Sequence, residues 1–307
     1  MTDPELGAKP PRGHQDPDRE HAAAIPLDTA ATRGAHLRKI LADPRFLSVS
    51  VTTLIVAFGL AAHSTGSVGF GAAAAGAVIL GTLLIAFAIA TNRAAEDFFT
   101  TYCARRGLVR DPSGNVPGIT PLLRRGDRRS AEHLMRGVLP GGLDGMMAHY
   151  TYEIRTRSSD GDIDTERYPF TVAIAECGQR AATLVTDIIC QPRSGLRALD
   201  SLEDKFRKLA RLELESEAFD RRYEVFFGPN DPTTENWMKQ LFVPSFIVWM
   251  SERPPQHFGF ELSAGALCAY SKGHRNEALE LDEFAKAASG VADRIRQEAS
   301  EADSVTL

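Results

Sequence analysis

Residues 57–71 read AFGLAAHSTGSVGFG and contain no Asp, Glu, Lys or Arg. They are the middle of a charge-free run from Phe46 to Asn92, 47 residues long. The run has two readings: the interior of a soluble protein, or a turn between two helices on the far side of a bilayer. The averages over all 307 residues hide it, because 24% of the chain is charged and the mean hydropathy is -0.18. The charge is unevenly placed. Residues 1–45 hold 7 basic and 7 acidic side chains, and residues 93–307 hold 28 basic and 33 acidic ones, which supplies the whole net charge of -5.

Within the run, residues 46–62 form one apolar stretch and residues 68–90 another, separated by His63, Ser64, Thr65, Gly66 and Ser67. At 1.5 Å per residue the first reaches about 25 Å and the second about 34 Å, each enough to cross a hydrocarbon core as a helix. Helices satisfy their own backbone hydrogen bonds, which lipid requires. The expectation is a transmembrane helical hairpin with spans of about 46–62 and 68–90. A buried soluble hairpin would need 47 uncharged residues in one core. A signal peptide would need a charged region some 45 residues long and no second span, and this chain fits neither pattern. Gly69, Gly71, Gly76 and Gly81 with Ala72 to Ala75 and Ala77 give the second span a small-residue face suited to close packing, including a homo-oligomer.

Arg33, Arg38, Lys39 and Arg45 precede the first span, Arg93, Arg105, Arg106 and Arg110 follow the second, and the turn has no Lys or Arg. Positive residues stay on the cytoplasmic side, so both termini are expected in the cytoplasm, with the chain in the inner (plasma) membrane. Four scattered cysteines without CxxC spacing fit a reducing compartment.

Outside the hairpin, residues 1–32 are proline-rich and mixed in charge, a disordered tail. Residues 33–42 are a short helical lead-in near the headgroups, and Ala94 to Arg106 continue the second helix, with Phe98, Phe99 and Tyr102 at the interface. Residues 93–296 are expected to form a cytoplasmic α+β domain with a mainly antiparallel sheet and flanking helices, and residues 297–307 a flexible tail. Residues 116–130 read as a loop and residues 139–145, LPGGLDG, as a turn. Strands are expected at 146–157, 168–176, 183–190, in two pieces over 212–227, at 258–262 and at 264–270. Helices are expected at 201–209, at 234–250 with a break near Pro244, and at 281–296. No helix long enough for a crossover separates the first strands, so a doubly wound parallel sheet is disfavoured.

The sequence carries no catalytic motif: no P-loop, no H-E-x-x-H and no G-x-S-x-G. His149, His257 and His274 are isolated in sequence, and neither a metal nor a cofactor is expected. Asp220, Glu224, Asp231 and Glu235 surround an aromatic strand and form the candidate polar site, because positions four apart on a strand share a face and paired carboxylates hold a cation or shift a pKa. Against this, Asp220 pairing with a basic neighbour and Glu224 facing water is the plainer reading. Arg124, Arg125, Arg128 and Arg129 form a candidate lipid-headgroup contact. The acidic domain has no finger, helix-turn-helix or basic-aromatic pattern, so nucleic acid is not an expected partner.

Residues 214–227, LESEAFDRRYEVFF, the acidic Asp231 region and residues 241–249, LFVPSFIVW, resemble a family of uncharacterised bacterial two-span membrane proteins, the DUF3137 type. The resemblance implies a short hairpin followed by a cytoplasmic α+β domain, and it carries no assigned activity. The functional expectation is therefore a membrane-anchored domain used for contact with a membrane or cytoplasmic protein, or for envelope organisation. A ligand-sensing domain coupled to the hairpin is the alternative, and an enzyme comes third.

Overall fold

The computed structural model describes residues 29–157, 160–184, 187–193, 209–228 and 231–304. Residues 1–28 of the tail expected at 1–32 and most of the helix expected at 201–209 lie outside these residues, while residues 29–32 are helical and do not belong to a disordered tail. Three helices open the described chain: α1 (Thr29–Leu41), α2 (Pro44–Thr65) and α3 (Val68–Arg106). Asp43 caps α2 by accepting from the Arg45 N–H at 2.9 Å, and Pro44 fills a first-turn position where no N–H is needed. Gly66, in the left-handed region at φ 62, ends α2. The connection is therefore shorter than the five residues expected, because His63, Ser64 and Thr65 complete the helix.

At 39 residues, α3 is about 58 Å long. Its first part and α2 are long and apolar enough to cross a membrane. No residue of α2 is buried. At Gly71 the two helices pack closely, since a Cβ there would meet the Phe58 ring and Ala62 at 3.0–3.1 Å. The lead-in is a helix as expected, and it packs back on α3, with Ile40 against Ala86 and Ala90, the Arg33 guanidinium 5.1 Å from the Phe87 ring centroid, and His36 2.7 Å from Asp97.

Beyond α3 come β1 (Val109–Arg110), α4 (Pro121–Arg124), β2 (Arg128–Val138), β3 (Asp144–Arg157), β4 (Ile163–Glu176), α5 (Gln179–Leu184) and β5 (Asp187–Pro192). Then follow β6 (Ala210–Arg211), α6 (Glu217–Asp220), β7 (Tyr223–Gly228), α7 (Pro232–Leu241), α8 (Pro244–Glu252), β8 (Phe258–Ser263), β9 (Ala266–Lys272) and α9 (Ala278–Ser304). The fold is α+β. Its nine described strands form one sheet in the order β1-β2-β3-β4-β9-β8-β5-β7-β6, antiparallel at each described pairing.

Both sheet faces are covered. Met147, Ala173, Leu267, Phe260, Ile188 and Val225 face a core shared with the lower part of α3 and with α7, α8 and α9. Tyr150, Tyr152, Phe170, Val172, Cys268 and Tyr270 face Val116, Leu122 and Leu123 from the segment before β2. This second cover explains why β3 buries consecutive residues 147–150, where a half-buried strand was expected.

Several expectations are corrected. Arg128 and Arg129 begin strand β2 and do not lie in a loop. Thr183 and Leu184 belong to α5, so that strand starts at Asp187. The two strands expected over 212–227 are one strand, β7, preceded by the helical turn α6, which Ser216 caps. The last helix runs through the expected tail to Ser304, with Ala299 buried, because its apolar stripe continues from Val291 and Ile295. Phe98, Phe99 and Tyr102 are core residues: Ala94, Phe98 and Tyr102 recur every four positions and turn that stripe onto the sheet.

Candidate functional site

The four acidic candidates serve two separate places. Asp220 ends α6, so it shares no strand face with Glu224. Glu224 on β7 sits 3.4 Å from Arg193 and 3.9 Å from Arg211. Arg193, Arg211, Arg221, Glu217 and Asp220 line an open basin of about 490 Å³. Asp231 caps α7 by accepting from the Thr233 and Thr234 N–H groups at 3.0 Å and the Thr234 hydroxyl at 2.8 Å; these bonds hold its carboxyl below the usual range. Glu235 pairs with Lys239 one turn along at 2.6 Å. Each of these groups except Asp220 has a local structural partner that accounts for it.

The four arginines also separate. Arg125 is buried, its guanidinium 5.3 Å from the Tyr152 ring centroid, which removes it from any headgroup-facing set. Arg124 is exposed and donates to the Gly118 and Ile119 carbonyls at 2.8 and 2.6 Å. Arg128 and Arg129 are exposed on β2.

The densest polar arrangement lies where α3 enters the sheet, and sequence spacing did not show it. His133, His149 and His274 come together from β2, β3 and the turn after β9, so the two histidines read as isolated are not so. Phe99 stacks on His133 with ring centroids 4.1 Å apart, His133 meets His149 edge-on at 5.5 Å, and His149 stacks flat on His274 at 4.4 Å. A β-bulge between Glu132 and Met135 aims His133 at the helix, with His133 itself at φ 52, a conformation costly for a residue with a side chain.

Each imidazole has a polar tie. His149 Nε2 donates to the Arg275 carbonyl at 2.9 Å, His274 Nε2 lies 3.1 Å from the Thr151 hydroxyl, and Arg110 Nη2 lies 3.1 Å from His133 Nδ1. Burial holds all three rings below the ordinary histidine range, His149 at about 3, with the neighbouring His274 adding to the effect on His149. Arg110 is itself held by Glu96 on α3, Nη1 to Oε2 at 2.6 Å, and by the Thr100 hydroxyl at 3.0 Å. One turn further along α3, the Tyr102 hydroxyl donates to Asp282 Oδ1 at 2.9 Å and Arg106 pairs with Asp282 Oδ2. Three elements are thereby bound to the helix: β1 by Arg110, β2 by His133 and α9 by Asp282.

A second buried polar group stands apart from the junction. Glu261 is fully buried on β8, the Leu122 N–H donates to its Oε2 at 2.8 Å, and burial pushes its carboxyl up to about 7. In sequence it was visible as the one acid in the apolar strand FGFELS. The group ties the segment before β2 onto the sheet.

Among the described residues, no group of three or more His, Cys, Asp or Glu is placed to hold a metal ion. The three imidazoles stack face to face or edge to face, and do not converge on a common point. What the junction can do is hydrogen-bond rearrangement: a carboxylate, a guanidinium and an imidazole stand within contact of one another at the end of a long helix. No protein-family model, curated protein or solved structure matches the chain.

Proposed function

We propose that the chain is a two-span membrane protein whose α+β domain lies on the cytoplasmic side and acts in protein contact or envelope organisation. The observation that carries the reading is exposure: Leu47, Val49, Ile55, Val56, Leu60, Phe70, Leu80, Leu84 and Ile85 are all exposed on α2 and α3. A soluble core helix would bury such side chains, at roughly 1.5–3 kcal/mol each, whereas lipid accepts them. The basic flanks support a cytoplasmic domain and an inner-membrane position. The resemblance to the DUF3137 type supports the same arrangement. Gly76 and Gly81, with open space where a Cβ would stand, leave part of the small-residue face of α3 for a second copy. Arg124, Arg128 and Arg129 remain the candidates for headgroup contact.

A ligand-sensing role is the second reading, favoured by the continuity of α3. One unbroken helix runs from the apolar hairpin into the domain core, so a change at the sheet is delivered to the hairpin through a rigid element. Two experiments test the first reading. Washing membranes with alkaline carbonate should leave the chain in the pellet and detergent should release it; recovery in the aqueous wash refutes the anchor. Crosslinking in intact membranes followed by mass spectrometry should return the same protein partner from independent preparations, and recovery of the chain alone removes the contact role.

A further inference from the structure

We infer that the junction of α3 with the sheet is a proton-operated latch, in which Glu96 exchanges Arg110 for a protonated His133. This goes beyond the anchoring role and does not depend on what the domain contacts.

The argument begins with donors and acceptors. A guanidinium only donates, so the 3.1 Å contact from Arg110 Nη2 requires His133 Nδ1 to accept and therefore to carry no proton. Protonating Nδ1 sets donor against donor and cation against cation. The same proton faces Glu96, whose Oε1 stands 3.7 Å from Nδ1, so a movement of under about 1 Å gives a charge-assisted bond of ordinary length. Glu96 is satisfied in both arrangements. Arg110 is satisfied in only one.

The surroundings single out His133 among the three imidazoles. The groups facing it are Glu96 and Phe99 from α3, Arg110 from β1, Glu132 from β2, His149 from β3 and His274 from the turn after β9. Glu96 and Glu132 favour the proton, while burial, Arg110 and His274 oppose it. His149 is 3% exposed, stacked on His274 and met edge-on by Phe99 and His133, with no carboxylate among the groups acting on it. The His133 side chain keeps 14% of its surface in solvent, and one face of it meets a carboxylate.

Arg110 is also half of the two-residue edge strand β1, paired with Met135. Once Glu96 turns to His133, Arg110 gives up its carboxylate and imidazole partners, and β1 is held by its two-residue backbone pairing and by the weaker contacts of Arg110 with the Thr100 hydroxyl and, at 3.4 Å, the Glu96 carbonyl. The expected consequence of acid is that β1 opens from β2, uncovering the sheet edge beside α3.

Amide hydrogen exchange of the full chain in lipid nanodiscs tests this. The reporter is the Asp111 N–H, bonded to the Leu134 carbonyl at 2.9 Å, together with the β1 amides. After correction for intrinsic rates, exchange there should accelerate about tenfold for each pH unit below the ordinary value of 6.5, because opening then takes up one proton. His133→Gln and Glu96→Gln should each abolish the acceleration. An unchanged rate in the wild type, or an acceleration that persists in His133→Gln, overturns the latch. Should either variant fail to fold, the wild-type His133 ring titration decides by NMR: its inflection must coincide with the pH, below 6.5, at which the acceleration of Asp111 exchange levels off, and an inflection elsewhere refutes the coupling.

Discussion

The ion pair between Arg106 and Asp282 tests whether α3 is bound into the domain by chemistry or merely passes over it. Asp282 has 5% of its side chain exposed and Arg106 13%, so water screens the pair little. Replacing Asp282 by Ala strands a buried guanidinium and removes the acceptor of the Tyr102 hydroxyl. Breaking one side of a buried pair costs about 3–5 kcal/mol, within which the orphaned hydroxyl accounts for about 1–3. Asp282→Asn, which keeps an acceptor for Tyr102 but no charge, should cost less. The informative variant is the double substitution Arg106→Met with Asp282→Leu, which removes both charges and should recover most of the loss. Urea denaturation of the detergent-solubilised chain provides the measurement. Trp237 is buried on α7, and Trp249 lies against Gly290 of α9, so their fluorescence reports the domain and not the hairpin. With a denaturant slope of about 2 kcal/mol per molar, Asp282→Ala should lower the midpoint by about 2 M. A fall of less than about 0.5 M in the single variant, or a double variant as unstable as the two singles added, would refute the reasoning.

Glu261 and His149 should give opposite pH dependences that cancel in the wild type. The Glu261 carboxyl rises from 4.5 to about 7 on folding, so its stabilising contribution is complete below 4.5 and is lost as pH rises to about 7, some 3 kcal/mol in all. The His149 ring falls from 6.5 to about 3, so its contribution is complete above 6.5 and is lost as pH falls, about 1.4 kcal/mol per unit. Glu261→Gln should therefore be more stable than wild type near neutrality and fall steeply in acid, while His149→Phe should gain stability from pH 6.5 to 4.5; denaturation midpoints across that range check both, and parallel profiles exclude the assignments. Gly290→Ala gains about 1 kcal/mol of helix propensity, yet its Cβ would stand 2.7 Å from Trp249 Cζ2. The indole must move, so a net loss of about 1–2 kcal/mol and a shift in Trp249 emission are expected; a stabilised variant with unchanged emission would contradict the packing.

How far the sequence reaches differs between elements. The apolar pair of helices, the turn at residues 139–145, the hairpin of β8 and β9 and the helix break at Pro244 were legible because each rests on a local signal: a charge-free run, paired glycines, alternation, or a missing N–H. Where two local signals competed, the reading failed. Thr183 and Leu184 are as apolar as a strand residue, yet residues 179–184 form a helical turn before the chain enters the sheet. All of β2 was missed: residues 116–130 read as a loop and no strand was expected at 131–138, because Arg128, Arg129, Glu132, His133 and Arg136 break the apolar alternation that marks a strand. The cover on the second sheet face comes from Val116, Leu122 and Leu123, distant in sequence from every strand they bury.

The candidate site was the least legible part, for a reason of geometry. Paired acids were sought within one strand, since spacing is all that a sequence exposes, and the acids so found are a helix cap at Asp231, ion-pair partners at Glu224 and Glu235, and the last residue of a helical turn at Asp220. The groups that do meet, Glu96, Arg110, His133, His149, His274 and Asp282, come from α3, four strands or their flanks, and α9, so no spacing rule relates them. One feature of the sequence did point there. A division drawn at the end of the charge-free run, between residues 92 and 93, cuts through α3, whereas the stripe Ala94, Phe98 and Tyr102 continues the helix and changes only what its apolar face meets. A helix that carries an apolar face on both sides of such a division must pass from one environment to another without a hinge. Its charged residues are then confined to the junction, and it is there that Glu96, Arg106 and Asp97 find Arg110, Asp282 and His36. The polar groups that join the hairpin to the sheet are concentrated at the crossing because neither the apolar helix above it nor the packed core below it can accommodate them.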